Sequence, residues 1–144
     1  MRHRPSIAAA VGVVGLLIGA LAAASQFLPL FLDGPIRGAG PGFFAVSGLL
    51  FVLNPFGLVV VGYWAGLRVD VTRQYGSLLL VLALVGGGAT AVGYLVVAGL
   101  ALAETGDTGA VEILFAVGYN AVVHAINIAV TCFAGAALAE FRGA

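Results

Sequence analysis

The chain has 144 residues, 62% of them hydrophobic and 8% charged, with six basic and six acidic side chains and no net charge. A soluble domain of this size carries about 25% charged residues, so the composition argues against a water-soluble globule. The neutral balance removes the electrostatic basis for binding nucleic acid.

The apolar residues fall in four long blocks, at 6–27, 42–67, 76–103 and 110–139. Each exceeds the ~20 residues that cross a hydrocarbon core. The expected fold is an all-α integral membrane protein, a single domain built as a bundle of four transmembrane helices, with the lipid bilayer as its first partner.

Segment one is preceded by Arg2-His3-Arg4 and ends near Ala22-Ala23-Ala24-Ser25. That pattern also belongs to a secretory signal peptide with a small-residue cleavage site. The apolar run is long for such a signal and continues through Phe27 to Leu32, so the segment is read as a retained span. Cleavage would leave three spans in the same orientation. From Leu28 to Pro41 the chain carries Pro29, Pro35 and Pro41 among Gly34, Gly38 and Gly40. Proline and glycine interrupt helices, which predicts an outer loop lying along the interface.

Segment two holds Asn54-Pro55 at its middle. Proline removes one helical hydrogen bond and crowds the carbonyl of Phe51, so a kink is expected there. Segment three carries Gly86-Gly87-Gly88, then Thr90 and Gly93. Gly15, Gly19 and Ala23 on segment one, and Gly62 and Gly66 on segment two, repeat at steps of four. Small residues at that spacing let helix backbones approach closely in lipid, and together these ridges predict a tightly packed bundle. They also leave room for association with a second copy or with a membrane complex.

Charge sets the direction of the spans. Arg2, Arg4, Arg68, Arg73 and Arg142 fall on one side and only Arg37 on the other. The positive-inside rule then places both termini and the second loop in the cytoplasm, an N-in/C-in protein of the cell membrane. Tyr63, Trp64 and Tyr75 would sit at the inner interface and Phe27, Phe31, Phe43 and Phe44 at the outer one. Glu104, Asp107 and Glu112 lie on the outer side, and Asp107 and Glu112 suit the positive end of helix four better than a cation site.

Segment four contains the strongest local signal. Asn120, His124, Asn127 and Thr131 recur at steps of four, three and four, which places them on one helix face. A bilayer core offers no water to such groups, so the stripe must face other helices or an internal cavity. Counting from the span ends puts Asn54, Thr90 and His124 at similar depth. Imidazole, carboxamide and hydroxyl have compatible donors and acceptors. These three are therefore expected to converge, with Asn120, Asn127 and Thr131 extending the line and Tyr94 and Tyr119 near its outer end.

Other chemistry is absent from the pattern. One cysteine, Cys132, supports neither a disulfide nor a dithiol pair. The only intramembrane histidine, His124, cannot hold haem from both sides within one chain. No nucleotide loop, metal-ligand spacing, nucleophile motif or deep membrane carboxylate appears, so neither an enzyme nor a cofactor is expected. Two readings of the polar cluster remain. The first is the expected one: interhelical glue in a non-enzymatic scaffold or subunit. In the second, the alternative, it lines a path in a small transporter or channel. The first predicts a dry interior, the second a hydrated one.

Overall fold

The computed structural model describes residues 4–31, 40–69, 71–105 and 110–143, and every regular element among them is helical. In chain order these are α1 (Arg4–Phe31), α2 (Gly40–Val52), a π-helical turn (Leu53–Gly57), α3 (Leu58–Gly66), α4 (Val71–Thr105) and α5 (Ala110–Gly143). Four stretches are long and apolar enough to cross a membrane: Pro5–Phe27, Phe44–Gly66, Arg73–Leu100 and Leu114–Arg142. They overlap the four blocks of the sequence, with ends shifted by up to four residues.

Several boundaries differ from expectation. α1 continues over Leu28–Phe31 and α2 begins at Gly40, where the prolines suggested a loop, although Pro29 removes one donor from the ladder, and α5 runs on to Gly143. α4 begins earlier than Gly76, but Gln74 breaks its first turns with φ −125° and ψ 15°. The body of that span therefore starts close to the expected place. The remainder of the first loop (32–39), with Asp33 and Arg37, lies outside the described residues, as do Arg2, His3, Asp70 and Asp107.

The second stretch is a composite of α2, the π turn and α3. A π turn contains one residue more than an α turn, and such turns are a recognised way for a helix to absorb an interruption. Here it falls on Asn54-Pro55, where proline withdraws its N–H from the ladder. The kink expected at this site takes the form of a widened turn.

Packing is decided by glycine. Cβ atoms built at Gly15 and Gly19 of α1 would overlap the carbonyls of Gly86 and Thr90 on α4, and one at Gly93 would overlap that of Leu16. Cβ atoms at Gly62 and Gly66 of α3 would likewise strike the carbonyls of Cys132 and Ala136 on α5, and one at Gly135 that of Val59. In both pairs the contact advances in the same direction along both chains, so α1 runs parallel to α4 and α3 parallel to α5. α4 joins α5 through Gly86 against Ile128 and Gly87 against Ala125. The order across the bundle is thus α1, α4, α5, α3. Gly88 of the same triplet meets nothing.

The apolar core has two parts. One gathers Ile7, Val11, Ile18, Leu58, Leu82, Ile128 and Cys132 from all four stretches. The other, nearer the C-terminal end of α1, joins Ala22, Ala23, Tyr94, Ala98 and Val117, with Phe27 set edge-on to Tyr94 at 6.2 Å between ring centres. Among its described side chains α2 buries none in either part, and Leu50 packs half-buried against the first. α3 is locked to α5, whereas α2 diverges from the second core part beyond the π turn. A cleft opens between α1, α2 and α5 as a result. Trp64, at the opposite end of the second stretch, carries the Arg68 guanidinium over its ring at 3.9 Å, an amphipathic arrangement suited to an interface.

Candidate functional site

The cleft has a volume of about 600 Å³ and is walled by three helical stretches. α5 contributes Asn120, His124, Asn127 and Thr131. Their four-three-four spacing puts them on one face, and that face is turned into the cleft. The second stretch contributes Ser47, Leu50, Phe51, Asn54 and Pro55, and α1 contributes Ala22, Ser25 and Gln26. The polar side chains are four carboxamides, three hydroxyls and one imidazole. None is an Asp, Glu, Lys or Arg.

A directed hydrogen-bond chain crosses the cleft. Thr131 Oγ1 donates to Asn127 Oδ1 at 3.1 Å, and Asn127 Nδ2 donates to Asn54 Oδ1 at 3.1 Å. Asn54 reaches this position because it lies in the π turn. Asn120 turns its Nδ2 back onto the Ala116 carbonyl at 2.9 Å, which leaves its Oδ1 toward the cleft without a protein partner. Ser25 Oγ donates to the Ala22 carbonyl at 2.7 Å. Gln26 Oε1 accepts from the hydroxyl of Tyr94. Tyr94 itself is buried in the core beyond the cleft wall, so α4 steadies a cleft residue from behind.

His124 is the exception to this economy. Its Nδ1 is buried without a hydrogen-bond partner. A buried polar atom left unpaired costs on the order of 1–3 kcal/mol, and such atoms ordinarily find protein or water. The imidazole lines the cleft, but Nδ1 itself is sealed from its open space and stays unpaired.

Five of the six residues singled out from the sequence, Asn54, Asn120, His124, Asn127 and Thr131, line this one cleft. Thr90 does not, and its expected convergence with Asn54 and His124 is corrected. It is fully buried between α1 and α4, with Oγ1 2.8 Å from the Gly86 carbonyl and 3.1 Å from that of Gly15. The reason is local: a helical threonine bonds back to the carbonyl four residues earlier, and Gly15 brings a second carbonyl within reach. Tyr119 is exposed on the outside of α5 and lies off the cleft.

Ser25, Gln26 and Ser47 were not singled out by sequence. Ser47 precedes Asn54 by seven residues, two helical turns on the same face, and that spacing was a usable signal. Ser25 and Gln26 carried none, because they join the cleft only through the packing of α1. Cys132 lies in the core, against Gly62, and takes no part. Among the described residues no three His, Cys, Asp or Glu side chains come together. The lining therefore offers hydrogen bonds in both directions and no fixed charge. No family model, curated protein or solved structure matches the chain.

Proposed function

We propose that the chain is a multi-pass membrane protein with both termini cytoplasmic, and that its polar cleft is the hydrated solute site of a small transporter or channel. Membrane insertion is supported by four apolar stretches and by the apolar side chains they expose, Phe44, Phe51, Val60 and Leu100 among them. Orientation rests on the arginine count, five against one. The observation that carries the solute site is that five spaced polar residues of two spans share a cavity of about 600 Å³, while the other helix contacts are closed by glycine. Interhelical glue needs no cavity. In this orientation the cleft runs from mid-depth toward the outer surface.

The test is water access. In a Cys132→Ser background, single cysteines at Asn120, His124, Asn127 and Thr131 are exposed to a membrane-impermeant thiol reagent, which reacts only with a hydrated thiolate. Labelling along the stripe, with none at outward-facing Val122, supports the reading. An unlabelled stripe in folded protein rejects it. Reporter fusions at each terminus and within 106–109 check the orientation, with only the last expected outside.

A second reading keeps the chain as a scaffold or subunit, either self-associating or joined to a larger complex. It is favoured by the second stretch, whose Phe44, Leu49, Phe51, Val52 and Phe56 are all exposed. A partner helix seated there would cover the cleft, and the stripe would then stay unlabelled in the assembled complex and become labelled in the isolated chain.

A further inference from the structure

The hydrogen-bonding groups left over in the cleft restrict what it can hold. Resting on the reading of the cleft as a solvated site, we propose that it binds an uncharged polyhydroxyl group, either a free polyol or sugar or the sugar headgroup of a glycolipid.

Charge is the first argument. An ion taken from water into an apolar surrounding needs a counter-charge, and the cleft has no carboxylate, ammonium or guanidinium in its wall. The second argument is the balance of free donors and acceptors. Asn54 Oδ1 and Asn127 Oδ1 are already engaged, which leaves the Asn54 amide N–H groups and one N–H of Asn127 free. Gln26 Oε1 is held by Tyr94, which leaves its N–H groups free as well. Against these donors stands the acceptor Asn120 Oδ1, with the His124 imidazole on the same wall. A metal cation calls for a shell of free oxygens, and three of the four carboxamide oxygens here already accept a hydrogen bond from the protein. A bare anion calls for donors alone, and Asn120 Oδ1 opposes it. A hydroxyl both donates and accepts, so neighbouring hydroxyls on one molecule satisfy this mixed set.

Size and apolar lining agree. About 600 Å³ is the scale of small-molecule sites and far exceeds a monatomic ion. Leu50, Phe51 and Pro55 on the same wall give an apolar surface for the C–H faces of a sugar ring. Tyr94 donates to Gln26 Oε1 from behind the wall and so holds the carboxamide at the cleft, which makes Tyr94 a positioning residue in this account.

The experiment uses full-length Cys132→Ser protein in proteoliposomes with one reporter, Ser47→Cys or, as a second variant, Asn120→Cys. The rate of modification by an impermeant thiol reagent is measured alone, with glycerol, with glucose, and with choline chloride or sodium acetate at equal osmolarity. Glutathione in bulk solution corrects for any effect on the reagent. A parallel set of vesicles contains a glucosyl diacylglycerol. The expected result is several-fold slower labelling with glycerol or glucose, no change with the two salts, and loss of protection in Gln26→Leu and Asn54→Leu proteins that still label. Slowing confined to the glycolipid vesicles identifies the headgroup as the source of the same chemistry. Equal labelling under every condition, or protection by choline or acetate, overturns the ligand class while the solvated cleft stands. A reporter that never labels overturns the solvated cleft, and this inference falls with it.

Discussion

Asn127 on α5 donates its side-chain amide to Asn54 across 3.1 Å, and Asn54 lies within the π turn that divides the second stretch. The bond marks a boundary. On one side α3 is locked against α5 by Gly62 and Gly66, and on the other α2 touches the first core part through Leu50 and contributes no described residue to the second. Removing either partner should loosen this boundary. Interhelical hydrogen bonds in membranes contribute about 0.6 kcal/mol on average and rarely more than about 2. A double-mutant cycle of Asn54→Ala and Asn127→Ala, followed by unfolding in a detergent mixture, is expected to give a coupling in that range. Strict additivity of the two single changes would mean that the bond does not form in the folded protein.

Glycine substitutions should separate sharply by position. Gly62→Ala places a methyl group on the Cys132 carbonyl, and Gly135→Ala places one on that of Val59. Overpacking of this kind costs roughly 1–3 kcal/mol, read as a lower melting temperature of the purified protein. Gly48 and Gly88 face open space. Their alanine variants should be neutral, or up to about 1 kcal/mol more stable through helix propensity. Equal effects at all four positions would refute the packing order described.

Thr90 tests the distinction between glue and cleft. Thr90→Val keeps the shape and removes the hydroxyl shared between Gly86 and Gly15. The expected loss is about 0.5–1.5 kcal/mol of stability, with Thr90→Ser restoring most of it. Thiol labelling of cysteines along the α5 stripe should be unaltered. A change in stripe labelling without a change in stability would return Thr90 to the cleft.

Pro55 lies in the π turn and withholds one N–H from its ladder. Replacing it with alanine favours regular helix by roughly 3 kcal/mol in intrinsic terms. Closing the turn to α geometry rotates everything before it by about 100°, one residue's step. Ser47 would then leave the cleft, while Asn120 on α5 would stay. In Pro55→Ala protein, labelling of a Ser47→Cys reporter should fall to the level of an outward-facing site, and labelling at Asn120→Cys should persist. Unchanged labelling at Ser47→Cys would show that the turn does not depend on the proline.

Local pattern carries much of this molecule. Four long apolar blocks point to helices, because in a bilayer each backbone group would have to be satisfied within its own segment. The four-three-four spacing of Asn120, His124, Asn127 and Thr131 likewise sets a common face before any partner is known. Asn54-Pro55 announces an interruption, and the glycine steps announce close approach. These are properties of single helices. What single helices cannot state is which neighbour each face meets. Thr90 shared the depth of His124 but faces α1, since Gly15 and Gly86 bring two carbonyls to its hydroxyl. Gln26 and Ser25 gave no signal, yet they wall the cleft because α1 packs on α4 and presents its other side to α5. Helix pairing in an apolar surrounding depends on the fit of small residues across an interface, and that fit is a relation between distant parts of the chain. Its outcome placed α3 against α5, left α2 apart, and opened the cleft between them and α1.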